Sequence, residues 1–257
     1  MAGTCGRSGD RGESPVITGP KNCVQAVVFD MDGVLIDSHP AHRTAWQQFL
    51  RLMGKDVSEV ELSYILDGHR RSEILRHFFG DLDEREVQEY GKRKDDIFRG
   101  LEYEIKPVRG ALDFIEGLNR RGIAMAIATS ASEIRTFSTI ERMGLGGCFE
   151  AVITATDVSE GKPHPAVYRL ACERMGIQPD RALAFDDASA GVLAARSAGM
   201  RCIGVASNGR SVSLLKAGAE QVIPHFEGFA LDFLPNADQA KGLGMYPTSH
   251  ACSHPSR

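Results

Sequence analysis

Short, almost uninterrupted apolar runs alternate along this chain with longer stretches whose apolar residues return every three or four positions. Val24–Phe29 (VQAVVF), Ile123–Ala128 (IAMAIA), Ala151–Thr154 (AVIT) and Ala182–Phe185 (ALAF) read as strands, with a fifth at Cys202–Val205 and a sixth at Gln221–Ile223. Runs without polar alternation suit strands covered on both faces of a parallel sheet. Between them, Gly110–Arg121, Ser132–Met143, Ala166–Met175 and Ser189–Ala198 predict helices stopped by Gly122, Gly144, Gly176 and Gly199. Strands and helices alternating in this way predict an α/β, doubly wound parallel sheet.

The first unit breaks that rhythm. Between Asp30 and the stretch Pro107–Gly110 there is no strand signal, and the pattern reads as four helices: Pro40–Met53, Ser58–Leu66, Arg71–Phe79 and Asp83–Leu101. This predicts a helical cap inserted directly after the first strand. The expected division is a flexible tail over 1–22, an α/β core over 23–37 and 106–235, the cap over 38–105, and a second polar tail over 236–257.

Composition narrows the function classes. With 42% hydrophobic residues in 257, the chain can bury a substantial core, and its net charge of −4 supplies no global field for nucleic acid or anionic membrane. No apolar run reaches the roughly 18–20 residues of a membrane span, and the first residues lack the apolar segment of a signal peptide. The six cysteines are scattered without metal-like spacing. Cys148, Cys172 and Cys202 fall in core-like segments, where free thiols act as small hydrophobes. A reducing, cytoplasmic setting and a monomer are expected.

In open α/β sheets ligands bind beyond the carboxyl ends of the strands. Here the first strand ends in Asp30-Met31-Asp32-Gly33 and the second in Thr129-Ser130. The third is followed by Asp157 and Gly161-Lys162-Pro163-His164-Pro165, and the fourth ends in Asp186-Asp187. One aspartate at a strand end most often caps a turn; acids at three strand ends, with a hydroxyl and a lysine, point to a site. Asp30 and Asp32, two residues apart, project to one side of an extended backbone. Together with Asp186 and Asp187 they repel one another unless a cation is shared. All-oxygen ligation of this kind suits Mg²⁺. With Lys162 and Thr129 the set makes a phosphoryl site, in which one carboxylate serves as nucleophile and its neighbour as general acid and base.

FDMDGV, ATS, GKP and FDD, in this order and spacing, resemble the four motifs of the haloacid dehalogenase-like superfamily, in its phosphatase branch, over roughly Val24 to Leu234. The first Asp-x-Asp implies phosphotransfer rather than dehalogenation. The helical insertion resembles the cap of the β-phosphoglucomutase-like subfamily. The resemblance implies a Rossmann-like core, Asp30 as the nucleophile that becomes an aspartyl-phosphate, and Asp32 as acid/base. It implies Mg²⁺ held by Asp30, the main-chain carbonyl of Asp32, Asp186 and Asp187, and a phosphoryl group gripped by Thr129 and Lys162 with Ser130 nearby. Ala188 departs from the serine frequent after the acidic pair, which removes a hydroxyl without touching the metal.

In the cap, His42 shares a stripe with Trp46, Phe49 and Met53, and Lys94 interrupts the apolar face of Val87, Tyr90, Ile97 and Leu101. Taken singly, these read as a partly buried histidine and a lysine reaching out to water. By resemblance, His42, Arg71 and Lys94 match cap or hinge positions that read the substrate, with Arg70 an alternative to Arg71. His69 and His77 read as solvated cap residues, with His69 a lesser candidate for substrate contact, and His164 reads as a loop residue rather than a metal ligand. Lys92-Arg93-Lys94, diluted by Asp95 and Asp96, is too short for nucleic acid.

These features imply a Mg²⁺-dependent phosphatase acting on a small phosphorylated sugar or polyol. The alternative is a β-phosphoglucomutase, in which a bound hydroxyl rather than water accepts the phosphoryl group. The resemblance puts a basic and an amide residue of the mutases where this chain has Ser132 and Glu133, and a carboxylate near phosphate is unfavourable. A non-catalytic binding protein is a remote alternative, given the intact Asp30, Asp32, Lys162 and Asp186.

Overall fold

The computed structural model describes residues 24–66, 71–206 and 210–229. The expected tails and the candidates His69 and Arg70 lie outside the described residues. Among those described, six strands, β1 (Ala26–Phe29), β2 (Ala124–Ala128), β3 (Ala151–Ile153), β4 (Ala182–Asp186), β5 (Arg201–Val205) and β6 (Gln221–Ile223), form one sheet in the order β3-β2-β1-β4-β5-β6. Every pairing is parallel. The helices in chain order are α1 (His39–Leu52), α2 (Glu59–Leu66), α3 (Arg71–Phe79), α4 (Glu84–Arg99), α5 (Ala111–Arg120), α6 (Glu133–Arg142), α7 (Ala166–Met175), α8 (Ser189–Ala198) and α9 (Ser211–Lys216).

The strands alternate in size rather than polarity. Val27, Phe29, Met125, Ile127, Leu183, Phe185, Ile203 and Val205 face α5 and α6, which contribute Phe114, Ile115, Leu118 and Ile140. The intervening Ala26, Val28, Ala126, Ala128, Ala182, Ala184 and Cys202 face α7, α8 and α9. Small residues on that face let α7 and α8 lie close to the sheet, with Tyr168 fully buried between them and the strands. On the opposite face Phe29 stacks on Phe185 at 5.5 Å between ring centroids, while Phe114 and Phe226 stand 4.9 Å apart against them. Phe29 and Phe185 immediately precede Asp30 and Asp186, so this aromatic layer anchors the strand ends from which those acids leave.

Helices α1 to α4 enclose an apolar core of their own, built from Trp46, Phe49, Leu50, Leu62, Ile65, Ile74, Leu75 and Val87. A capping box starts α4: Asp83 accepts from the Glu86 N–H at 2.8 Å and Glu86 accepts from the Asp83 N–H at 2.9 Å. The outgoing and returning chains pair where they cross, through Asp37 N–H to the Lys106 carbonyl at 2.8 Å and Val108 N–H to the Leu35 carbonyl at 2.9 Å. No helix among the described residues is long and apolar enough to cross a membrane.

Two features differ from the sequence reading. Helix α9 was not anticipated, because six residues are too few to display a helical period. The reading of Cys148 as a free thiol is corrected: Cys148 is disulfide-bonded. Cys172 and Cys202 are free, as expected. Proximity in the fold, not spacing in the chain, selects a disulfide pair.

The aromatic layer is expected to carry much of the core's stability. Phe114→Ala should cost about 3–5 kcal/mol in urea unfolding, against about 1 kcal/mol for loss of the cap in Asp83→Ala. Equal costs would contradict the role given to the layer.

Candidate active site

Strand β1 is where the strand order reverses, with β2 and β3 on one side and β4 to β6 on the other. That switch point opens a crevice at the strands' carboxyl ends. Phe29 pairs with Phe185 in register, and the Asp30 N–H donates to the Phe185 carbonyl at 2.9 Å, so Asp30 and Asp186 leave the sheet side by side. Lys162 reaches in from the loop after β3 and donates to Asp30 Oδ1 and to Asp186 Oδ2, at 2.7 Å each. The Tyr168 hydroxyl donates to Asp186 Oδ2 at 2.6 Å, and the Ala188 N–H to Oδ1 at 2.9 Å. Thr129 is buried at the end of β2, its hydroxyl accepting from the Ala131 N–H at 3.1 Å, whereas Ser130 beside it is exposed.

Two glycines make this packing possible. Gly33 has a φ of +74°, and a side chain there would overlap the Asp187 carboxylate and the His39 ring. A side chain at Gly191, in the first turn of α8, would overlap the Asp186 carboxylate.

The second aspartate of the first motif faces the cap. Asp32 Oδ1 accepts from the Ser38 hydroxyl at 2.5 Å and from the Arg135 guanidinium, with His42 Nε2 at 3.6 Å. Lys94 Nζ lies 3.1 Å from His42 Nδ1. A charged lysine donates to that nitrogen, which leaves the imidazole proton on Nε2, facing Asp32. His42 stacks on Phe98 at 4.2 Å, and the same ring underlies Lys94 Nζ at 4.6 Å and the Arg135 guanidinium at 4.9 Å. Lys94 does not reach out to water: it is 5% exposed.

Several expected groups point elsewhere. Arg71 pairs with Asp95 at 2.5 Å on the cap surface, half-exposed. Asp157 accepts from the Thr154 N–H and hydroxyl, both at 2.8 Å, and so closes a turn rather than joining the site. His164 is exposed beside Glu160, and Ser132 and Glu133 are exposed. Arg135, Ser38, Tyr168, His39 and Arg210 were missed by the sequence reading. Arg135 and Ser38 carried a faint signal: one lies in the first turn of the helix that leaves β2, the other just past the Asp-x-Asp-Gly turn.

This constellation matches known proteins over most of the chain. The sequence model of the haloacid dehalogenase-like hydrolases matches residues 24–199. The chain belongs to that family. It is similar to the "phosphorylated carbohydrates phosphatase" of Thermotoga maritima, 32% identical over 207 residues, 78% of this chain and 94% of the relative. It also resembles hexitol phosphatase A of Escherichia coli, 34% identical over 178 residues, 69% of this chain and 81% of the relative. Among solved structures, a family IA, variant 3 hydrolase of Entamoeba histolytica superposes with a TM-score of 0.74 at 26% identity, over 84% of this chain and 99% of that one. The chain is thus an enzyme of the phosphatase branch of the haloacid dehalogenase-like hydrolases.

The charges of this site state what it lacks. Burial raises the Asp30 pKa well above the carboxylate range; Lys162 opposes this, and Asp186, Asp187 and Asp32 add to it. For Lys162, burial works against its charge, but Asp186 and Asp30 outweigh burial and hold its pKa above the ordinary value. Asp32 is buried too, yet Arg135 and His42 outweigh burial and hold its pKa well below the usual range. One lysine shared by two acids leaves Asp30 short of positive charge, which is the environment a hard divalent ion with oxygen ligands fits. Asp30, Asp186 and Asp187 supply such oxygens. As placed, Asp186 is turned onto Lys162 and Tyr168, and Asp187 onto His39 at 2.9 Å and Arg210 at 3.1 Å. No three acidic, His or Cys side chains among the described residues converge in ligand geometry. The Asp32 side chain is engaged with Arg135 and Ser38, leaving its main-chain carbonyl for the part the family resemblance implies.

Burial pulls the Lys94 pKa from 10.5 down to about 8, with Asp95 opposing. Below about pH 8 the ammonium is buried at a cost; as pH rises toward 10.5 the folded protein releases that proton before the unfolded chain does, and the cost fades. Lys94→Met is therefore expected to be more stable than the parent near pH 7, by on the order of 2 kcal/mol. The gain should shrink near pH 10 in urea denaturation at the two pH values. A variant less stable than the parent near pH 7 would contradict this account.

Proposed function

We propose that the protein is a Mg²⁺-dependent phosphatase that hydrolyses a small phosphorylated sugar or polyol through an aspartyl-phosphate on Asp30. The observation that carries this reading is the Lys162 bridge between Asp30 and Asp186 at adjacent strand ends, with Asp32 only two residues further on. The named activities of the Thermotoga maritima and Escherichia coli relatives support the substrate class.

Lys162 orients Asp30 by binding Oδ1, which leaves Oδ2 to attack phosphorus in line with the leaving oxygen. As the phosphorus–oxygen bond to the substrate breaks, Asp32 delivers a proton to that oxygen, and a sugar or polyol departs. Water then gives its proton to Asp32 and attacks phosphorus; the bond to Asp30 breaks, and inorganic phosphate leaves. Thr129, Ser130 and Lys162 hold the transferring group through both steps. When bound by Asp30, Asp186, Asp187 and the Asp32 carbonyl, Mg²⁺ supplies the positive charge that lets two anions approach. His42 and Lys94 face the same crevice from the cap and read the rest of the substrate. Arg71 joins them only if it leaves Asp95.

Water rather than a second hydroxyl is the acceptor in this reading, because no basic or amide side chain stands at Ser132 or Glu133 to hold a second phosphate. Phosphorus NMR with Mg²⁺ and β-glucose 1-phosphate, primed with a trace of glucose 1,6-bisphosphate, separates the two outcomes, followed by a panel of hexose and hexitol phosphates. Inorganic phosphate is expected from at least one substrate, with Asp30→Asn reducing its release by about 10³-fold or more. Glucose 6-phosphate without inorganic phosphate would make the protein a mutase. Full turnover by Asp30→Asn would overturn the mechanism.

A further inference from the structure

Among the described residues, every hydrogen bond and ion pair of the Asp32 side chain falls on one oxygen. Ser38 donates to Oδ1 at 2.5 Å, Arg135 Nη2 donates to the same atom, and His42 Nε2 faces it at 3.6 Å. An sp² oxygen offers two lone pairs, so two donors saturate Oδ1, and a proton enters there only by displacing one of them.

Arg135 is itself fixed from three directions. It rises from α6 of the core, its guanidinium lies over the Phe98 ring of α4 at 4.9 Å, and its Nε faces Glu102 Oε1 at 4.0 Å on the returning crossing. It is 17% exposed. A planar fork held this way presents Nη2 in one direction, which a flexible ammonium does less well. Arg135 therefore touches the site, the cap and the crossing at once.

We propose that Arg135 is a positioning residue for Asp32: with Ser38 it pins Oδ1, so that Oδ2 is the oxygen that carries the proton in both half-reactions. The inference rests on Asp32 being the acid/base of the proposed hydrolysis. In the first half-reaction the proton passes from Oδ2 to the leaving oxygen as that oxygen's bond to phosphorus breaks. In the second, the attacking water returns a proton to Oδ2 as the phosphorus bond to Asp30 breaks. Arg135 exchanges no proton; it keeps the carboxylate plane aligned. Because it leans on Phe98, that alignment depends on where the cap sits.

A double-mutant cycle on the full chain with Mg²⁺ and 4-nitrophenyl phosphate tests this. The leaving oxygen of that substrate needs little help from a proton, which keeps Asp32→Asn turnover measurable. Arg135→Ala is expected to lower kcat about 30-fold with KM changed less than about twofold, and Arg135→Lys, which keeps the charge but not the planar fork, to retain about a tenfold loss. In the Asp32→Asn background, Arg135→Ala is expected to change kcat by less than about twofold. A loss that persists in that background, or one that falls on KM, would overturn the positioning role. If Arg135→Ala fails to fold, Arg135→Lys carries the same cycle. Parental turnover by Asp32→Asn alone would instead remove the acid/base reading of Asp32, and the inference with it; that outcome does not involve Arg135, so the two failures are distinct.

Discussion

The Lys162 ammonium, shared at 2.7 Å by Asp30 and Asp186, is the contact on which the remaining arrangement depends. Two carboxylates at the ends of adjacent parallel strands repel, and both are withdrawn from water. The lysine offsets part of that repulsion by donating to both. Such an assembly is poor evidence of stability, since desolvating three charges costs about as much as their attraction returns. Its value is positional: it holds an ionisable oxygen in place beside the crevice where a phosphate can enter. The fold supplies what the charges need, with the aromatic layer of Phe29, Phe114, Phe185 and Phe226 anchoring the strand ends and Gly191 as the gap that admits the Asp186 carboxylate.

Around this centre the charges sort into three groups, each acid with its own partners. Asp30 and Asp186 share Lys162, Asp187 has His39 and Arg210, and Asp32 has Arg135, Ser38 and His42. The separation drives the acids of one short motif in opposite directions, raising the pKa of Asp30 and lowering that of Asp32. Lys94 on the cap is likewise a charge kept out of water at a cost in stability.

Much of the fold was legible along the chain. The apolar runs and the three-and-four spacing placed the six strands and eight of the nine described helices to within a few residues, because those patterns are local consequences of burying one face or two. The Asp-x-Asp-Gly, Thr-Ser, Lys-Pro and Asp-Asp steps were legible for a related reason. Strand ends in a parallel sheet share one edge, so residues there are neighbours whatever their distance in sequence.

Which cation each acid receives was decided only in three dimensions. Lys162 meets Asp30 across 132 positions and Arg135 meets Asp32 across 103, and no periodicity spans such intervals. The same reason hid the Cys148 disulfide, the turn of Arg71 onto Asp95 and the burial of Lys94, which pattern alone reads as a lysine reaching for water. By itself the sequence determined the layers, the order of the chemistry along one sheet edge and the kinds of group gathered there, since backbone geometry and burial act between near neighbours. Tertiary structure alone decided how those groups pair, because charge pairing depends on separation in space.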